Sequence, residues 1–257
     1  MTKTSPIELV TVPCLSDNYA FLIHNAETGE TALVDAPEAP PIKAALAERG
    51  WTLTDILLTH HHYDHIDGVP DLREGTRVIG AKADAARLPA LDLAVAEGDS
   101  FTVCGQEVHV HDVSGHTIGH IAFHMPDAKL VFTADSLMAL GCGRLFEGTP
   151  EQMWTSMQKL RALPEETLVC SGHEYTLSNA RFAASIDPEN SDLTSRIERI
   201  EVARAAGQPT VPSTLGEEIR TNPFLRADVP AMKAAMNMVD APDAAVFAEI
   251  RKRKDNF

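Results

Sequence analysis

The sequence predicts an α/β domain followed by a smaller helical one. Through about residue 173, short apolar runs of strand type alternate with amphipathic segments of helical period, the pattern of a sheet covered by helices. After Tyr175 the strand-like runs stop and only helical periodicity continues. A third observation concerns chemistry: histidines and aspartates of the first part gather where strand-like runs end, which is where α/β sheets place their ligands. The expected division is an α/β domain over 1–173, carrying these candidate ligands, and a helical domain over 174–257.

Residues 7–12, 19–24 and 31–35 read as strands, with Ala26-Glu27-Thr28-Gly29-Glu30 as a turn. Asp35 closes its run and reads as a turn or cap residue. Residues 41–49 read as a helix, with Pro41 near its start, Ile42, Ala45 and Leu46 on one face and Gly50 as its stop. Asp55-Ile56-Leu57-Leu58-Thr59 is short, apolar and bounded, a buried strand. A helical turn over 68–73, a strand over 76–80 and a helix over 81–87 follow. Residues 101–113 read as two strands joined by a tight turn at Gly105-Gln106. There Val108 and Val110 point one way and His109 and His111 the other, so both histidines read as solvent-facing or structural. Residues 121–125, 129–134 and 167–170 complete the strands, and His120 and His124 read as structural. An amphipathic helix over 150–163 presents Met153, Met157 and Leu160. Helices then cover 176–186, 191–206, 216–221, 229–239 and 243–254. In the second of these, Leu193, Ile197 and Ile200 keep one face and Gly207 ends it.

A chain of 257 residues can bury a full core. Its 37 acidic against 22 basic side chains, a net charge of −15, argue against nucleic acid or an anionic membrane as partner. No apolar run reaches the ~18 residues of a membrane span, and the polar N-terminus lacks the apolar core of a signal peptide. Cys14, Cys104, Cys142 and Cys170 lie far apart with no C-x-x-C pair, so reduced, buried thiols in a cytoplasmic protein are expected.

Thr59-His60-His61-His62-Tyr63-Asp64-His65 puts four potential metal ligands on the loop leaving a buried strand. Residues two apart in extended backbone point the same way, so His60 and His62 can grip one ion, while Asp64 and His65 can aim at a second. His116 in Ser114-Gly115-His116, Asp135 after Phe132-Thr133-Ala134, and His173 in Ser171-Gly172-His173 each follow a strand. These seven contain no cysteine and two carboxylates, unlike closed structural zinc sites and suited to hard or borderline metals with a bound water. Two ions need about eight contacts, and one bridging aspartate supplies the eighth.

H-x-H-x-D-H followed by an isolated His, an Asp and a last His resembles the metallo-β-lactamase superfamily, whose fold is an αββα sandwich with the metal site at one edge. The likeness narrows to the glyoxalase II, or hydroxyacylglutathione hydrolase, family. It rests on Thr59–His65 and Phe132–Asp135, and on Gly141-Cys142-Gly143-Arg144-Leu145-Phe146-Glu147-Gly148. It extends through Gly172-His173-Glu174-Tyr175-Thr176, Asn222-Pro223-Phe224-Leu225-Arg226 and the terminal Arg251-Lys252-Arg253-Lys254-Asp255-Asn256-Phe257.

The resemblance implies two divalent metal ions, zinc first, with iron or manganese as alternatives. His60, His62 and His116 would hold one, Asp64, His65 and His173 the other, and Asp135 would bridge. It implies attack by an activated water on the thioester of S-D-lactoylglutathione, with Asp64 orienting the water, to give D-lactate and glutathione. A thiol leaving group, with a pKa near 8.5, needs little acid assistance. Arg144, Phe146, Tyr175, Arg251 and Lys254 fall at the family's glutathione-binding positions. Arg144 stands where Lys is usual, and Phe146 where Tyr is usual. The partner is thus a small glutathione thioester, with no nucleic acid and no membrane, and the chain is expected to be a monomer. The alternatives are a glutathione persulfide dioxygenase with a single iron and a non-catalytic metal-binding protein.

Overall fold

The structure, a computed structural model, describes residues 6–257. Residues 1–5, the polar N-terminus read above as lacking a signal-peptide core, lie outside the described residues. The chain forms two compact units. The first runs to Asp112 and includes Ile118–Thr133, and the second comprises Val113–Thr117 and Ala134–Phe257.

In the first unit, β1 (Ile7–Cys14), β2 (Asn18–Asn25), β3 (Thr31–Val34), β4 (Asp55–Leu58), β5 (Arg77–Ala81) and β6 (Leu93–Val95) form one sheet in that order. β1, β2 and β3 pair antiparallel, and β3 through β6 pair parallel. β3 and β4 are buried throughout and mostly apolar, as expected of the parallel part of a sheet covered on both faces. The crossover helix α1 (Ala39–Arg49) ends at Gly50 in the left-handed conformation, φ 67°, a glycine stop of the usual kind. The short helices α2 (Tyr63–Ile66) and α3 (Val69–Leu72) follow β4.

β7 (Ser100–Val103), β8 (Gln106–Asp112), β9 (Ile121–Met125) and β10 (Leu130–Ala134) form an antiparallel meander. Its inner face packs against the first sheet: Phe21 meets Phe132 at 5.7 Å between ring centroids. Asn25 Nδ2 donates to the Cys104 carbonyl at 2.7 Å. The β7–β8 loop is Cys104-Gly105 rather than Gly105-Gln106, because Val103 pairs with Gln106. Both loop residues have positive φ, 50° and 66°, the two-residue turn that matches strand twist.

In the second unit, β11 (Leu137–Met138) pairs with β12 (Gly141–Cys142). α4 (Pro150–Arg161) begins with a reciprocal Thr149–Gln152 capping box. β13 (Leu168–Ser171) pairs with β14 (Ser213–Thr214). Helices α5 (Thr176–Ile186), α6 (Ser191–Ala205), α7 (Leu215–Thr221), α8 (Pro230–Ala235) and α9 (Asp243–Asp255) complete it. Leu140, Ala180, Ala183, Leu193 and Ile200 form one buried cluster. Phe224 packs on Phe182 and Phe247 at 6.2 and 5.7 Å. Glu218 is fully buried and accepts from Leu140 N, Asn222 Nδ2, Ser213 Oγ and Arg196 Nη2. A buried carboxylate needs such partners to offset its lost hydration.

Several expected elements differ. The helix over 81–87 is a 3₁₀ turn at Lys82–Asp84, since the Asp84 side chain is drawn to His61 and Arg87 and Pro89 disfavours helix just before it. The strand expected to end at Asp35 stops at Val34, where Asp35 turns to φ 56°. α8 is shorter than 229–239 because Asn237 turns left-handed, φ 59°. β14 is a strand in the C-terminal part where none was expected; two residues carry no period to read. All four cysteines are buried and free. Burial pushes Cys14 and Cys104 up to about 12 and Cys142 up to about 11, so these thiols are inert at neutral pH. Among the described residues no helix is long and apolar enough to cross a membrane.

Candidate metal centre

Each unit carries part of the expected ligand set. In the first, Asp55–Leu58 is buried on both faces and its parallel neighbour β3 ends level with it, Val34 opposite Leu57. The chain leaving β4 therefore emerges beside the chain leaving β3. Asp35 accepts from Thr59 N at 2.9 Å and from Thr59 Oγ1 at 2.8 Å. The same carboxylate takes His65 Nδ1 at 2.9 Å. Thr59 Oγ1, having given its proton to Asp35, accepts from His60 Nδ1 at 3.0 Å. These bonds assign the Nδ1–H tautomer to both rings and leave Nε2 as the ligating atom, the usual arrangement behind metal-bound histidines.

His60 and His65 are fully buried. The His60 ring lies 4.8 Å from that of His62 and 4.2 Å from that of His65. Ligating atoms of His60 with His62, His60 with His65, and Asp64 with His65 lie within 4.8 Å of each other. His62 caps α2, which places Asp64 and His65 in its first turn. Asn18 Nδ2 fixes Asp64 by donating to its backbone O at 3.0 Å and its Oδ2 at 3.1 Å. His61 turns away and donates Nδ1 to buried Asp84 at 2.8 Å. Gly119 makes room, since a Cβ there would lie 2.6 Å from the Asp84 side chain.

In the second unit, His116 Nδ1 donates to the Arg144 carbonyl at 2.7 Å, again leaving Nε2 for a ligand. That Nε2 lies 3.4 Å from Asp135 Oδ2, and His173 Nε2 lies 3.3 Å from the same oxygen. Asp135 is reached by a sharp backbone turn at Ala134, φ 40°. Gly143 must be glycine, because a Cβ would come within 1.9 Å of the Asp135 carbonyl oxygen. Tyr175 stacks on His173, centroids 4.6 Å apart and planes 8° apart. Phe146 sets its ring at 72° to His116, 5.2 Å away. Both aromatics are exposed on their outer side. Glu174 turns the other way, accepting from Thr210 N at 2.8 Å and Thr210 Oγ1 at 2.6 Å.

The basic candidates divide. Arg144 is exposed, with Nε 3.6 Å from Asp255 Oδ1. Lys254 donates to Ser178 O and Oγ, both at 3.3 Å, and lies over the Phe182 and Phe257 rings. Burial lowers its pKa. Arg251, unlike Arg144, is buried, 7% exposed. Its Nη1 donates to the Cys142 carbonyl at 2.9 Å, its Nε to Asp255 at 3.0 Å, and its guanidinium covers Phe224 at 5.1 Å. The sequence reading missed the supporting roles of Asp35, Asn18 and Asp84. For Asp35 a signal existed: a polar residue closing a strand that runs parallel to the histidine strand.

The donors are imidazole nitrogens and carboxylate oxygens, with the tautomers of His60, His65 and His116 set by hydrogen bonds, which suits divalent ions of borderline or hard character. The "Metallo-beta-lactamase superfamily" family model matches residues 16–173 and the "Hydroxyacylglutathione hydrolase C-terminus" model matches 174–257. A hydroxyacylglutathione hydrolase of Ruegeria pomeroyi is 65% identical over 254 residues, 98% of this chain and all of the relative. The chain belongs to the hydroxyacylglutathione hydrolase family. It is a hydrolase with the metallo-β-lactamase fold and that family's C-terminal helical region. Two solved structures share its fold. ETHE1 from Myxococcus xanthus has a TM-score of 0.65 at 25% identity, over 96% of this chain and 97% of that one. TTHA1623, solved in a di-iron-bound form, has a TM-score of 0.61 at 26% identity, over 85% of this chain and all of that one.

Proposed function

We propose that the chain cleaves S-D-lactoylglutathione to D-lactate and glutathione at a centre of two divalent ions, zinc first. His60, His62 and His116 would hold one ion, Asp64, His65 and His173 the other, and Asp135 would bridge. The observation that carries this is the position of Asp135 Oδ2, nearly equidistant from His116 Nε2 at 3.4 Å and His173 Nε2 at 3.3 Å. That position fits a carboxylate that would serve both ions. The names of the Ruegeria pomeroyi relative and of TTHA1623 support the substrate class and a two-metal centre respectively.

Bound there, the two ions would supply an activated water and a Lewis acid for the thioester carbonyl. The chain's own residues do the rest. Asp35 and the Arg144 carbonyl hold the ring protons of His65 and His116 and so keep their Nε2 atoms basic. Asn18 donates to Oδ2 of Asp64 and so fixes the carboxylate that would orient the attacking water. Arg144 and Lys254 bring local positive charge to an acidic chain for the carboxylates of glutathione, with Tyr175 and Phe146 offering their exposed faces to its backbone. Arg251 enters as a positioning residue that holds the Cys142-Gly143-Arg144 loop through the Cys142 carbonyl. In this reading 1–173 supplies the catalytic machinery, 174–257 the substrate contacts, and the protein works as a cytoplasmic monomer.

The test is elemental analysis and thioester hydrolysis on one purified sample. Two ions per chain and hydrolysis of S-D-lactoylglutathione are expected. One iron per chain with oxygen uptake on a glutathione persulfide, and no thioester hydrolysis, would overturn the reading.

A further inference from the structure

The alternation along β8 leaves three donors on one side of the strand. Val108 and Val110 enter the core, and Glu107, His109 and His111 take the opposite face. β9 runs antiparallel beside it with His124 directly across from His109 and Ala122 directly across from His111. Two histidines at i and i+2 on one strand thus share a face with a third on its neighbour, and the small side chain of Ala122 takes the fourth corner. The His124 ring lies 6.1 Å from that of His109 and 5.7 Å from that of His111. Glu107 Oε2 lies 3.4 Å from His109 Nε2.

We infer that His109, His111 and His124, with Glu107 beside them, form a further site for a borderline divalent cation such as Zn²⁺, distinct from the candidate metal centre. Three imidazoles with an open fourth position are a zinc donor set, and a neighbouring carboxylate can take that position or the proton of a ring. His124 is 6% exposed, and its Nε2 is buried without a hydrogen-bond partner, a cost that a bound cation removes. Burial first, then the neighbouring His111 and His109, push this imidazole down to about 4, so at neutral pH it is the uncharged form that metals take. Zn–N bonds of 2.0–2.1 Å at tetrahedral angles put ring centroids roughly 5 Å apart. The present separations exceed that by about 1 Å, so the donors are not yet converged as those of His60 and His62 are, and the half-exposed His109 ring must swing inward on loading.

The experiment is equilibrium dialysis of holoenzyme, its catalytic metals in place, against buffered Zn²⁺. Wild type is compared with His109→Ala/His111→Ala. Wild type should take up one ion per chain above its as-isolated content. The double variant should take up none at the same free zinc, or bind at least tenfold more weakly. Both proteins should keep the same urea midpoint, metal content as isolated and thioester hydrolysis rate, which shows that the variant is folded. Equal uptake by both proteins, or no uptake by wild type, overturns the inference.

Discussion

Asp35 and His65 lie thirty positions apart, yet the Asp35 carboxylate receives the His65 Nδ1 proton at 2.9 Å from the end of the adjacent parallel strand. The same carboxylate governs His60 through Thr59. One acidic side chain therefore sets the tautomers of two candidate ligands. Asp35→Asn tests this cleanly, since asparagine tolerates the left-handed φ of 56° but loses the charge. Metal affinity should fall by roughly 10–100-fold, measured by competition with a chromophoric chelator. Fully metal-loaded variant should recover most of its turnover. Unchanged affinity would reduce Asp35 to a turn residue.

Asp135 sits within reach of both His116 and His173. Asp135→Ala should therefore deplete both ions and lower thioester hydrolysis by orders of magnitude. A variant that lost one ion and kept the other at full occupancy would place Asp135 on a single metal.

Phe146 is exposed beside His116. If its outer face meets glutathione, Phe146→Tyr adds one hydrogen bond, worth ~0.5–1.5 kcal/mol. KM should fall by a few-fold up to about tenfold, with kcat nearly unchanged. A KM identical to wild type would remove this position from the substrate contacts.

Arg251 and Lys254 should separate by assay. Arg251 is committed to the Cys142 carbonyl and Asp255, so Arg251→Ala should cost on the order of 1.5–3 kcal/mol of stability, seen as a lower urea midpoint. It should also loosen the Arg144 loop. Lys254→Ala should leave the midpoint within about 1 kcal/mol of wild type and raise KM for the glutathione thioester, while a small uncharged thioester shows no difference. A Lys254→Ala enzyme with unaltered KM would leave that side chain as a support for Ser178 and Phe257.

The strands and helices with five or more residues of clear period were legible, and so was the idea that ligands follow strands. β6, β11, β12 and β14 were not, because two or three residues carry no period and owe their pairing to distant partners. In the candidate centre the candidate ligands could be named from type and spacing. Their orientation could not, since it depends on Asp35, Asn18 and the Arg144 carbonyl, which come from elsewhere in the chain. Arg251 could be named at a glutathione-binding position, but only the packed structure shows its guanidinium folded over Phe224.

The buried Glu218 gives this chain an unusual constraint on recombination. The two family models meet between residues 173 and 174, which invites cutting and joining there. Yet Glu218, from the C-terminal side of that junction, receives the Leu140 N–H from the other side, and Asn222 reaches back to the carbonyls of Met138 and Gly141. A foreign tail grafted at the junction would have to bring its own carboxylate and amide to the same places. Without them, the β11–β12 hairpin would lose its anchors, and the Gly143-Arg144 loop that follows it would drift. The seam visible in sequence is therefore not a seam in hydrogen bonding, and chimeras of this hydrolase should be joined outside the 138–222 stretch.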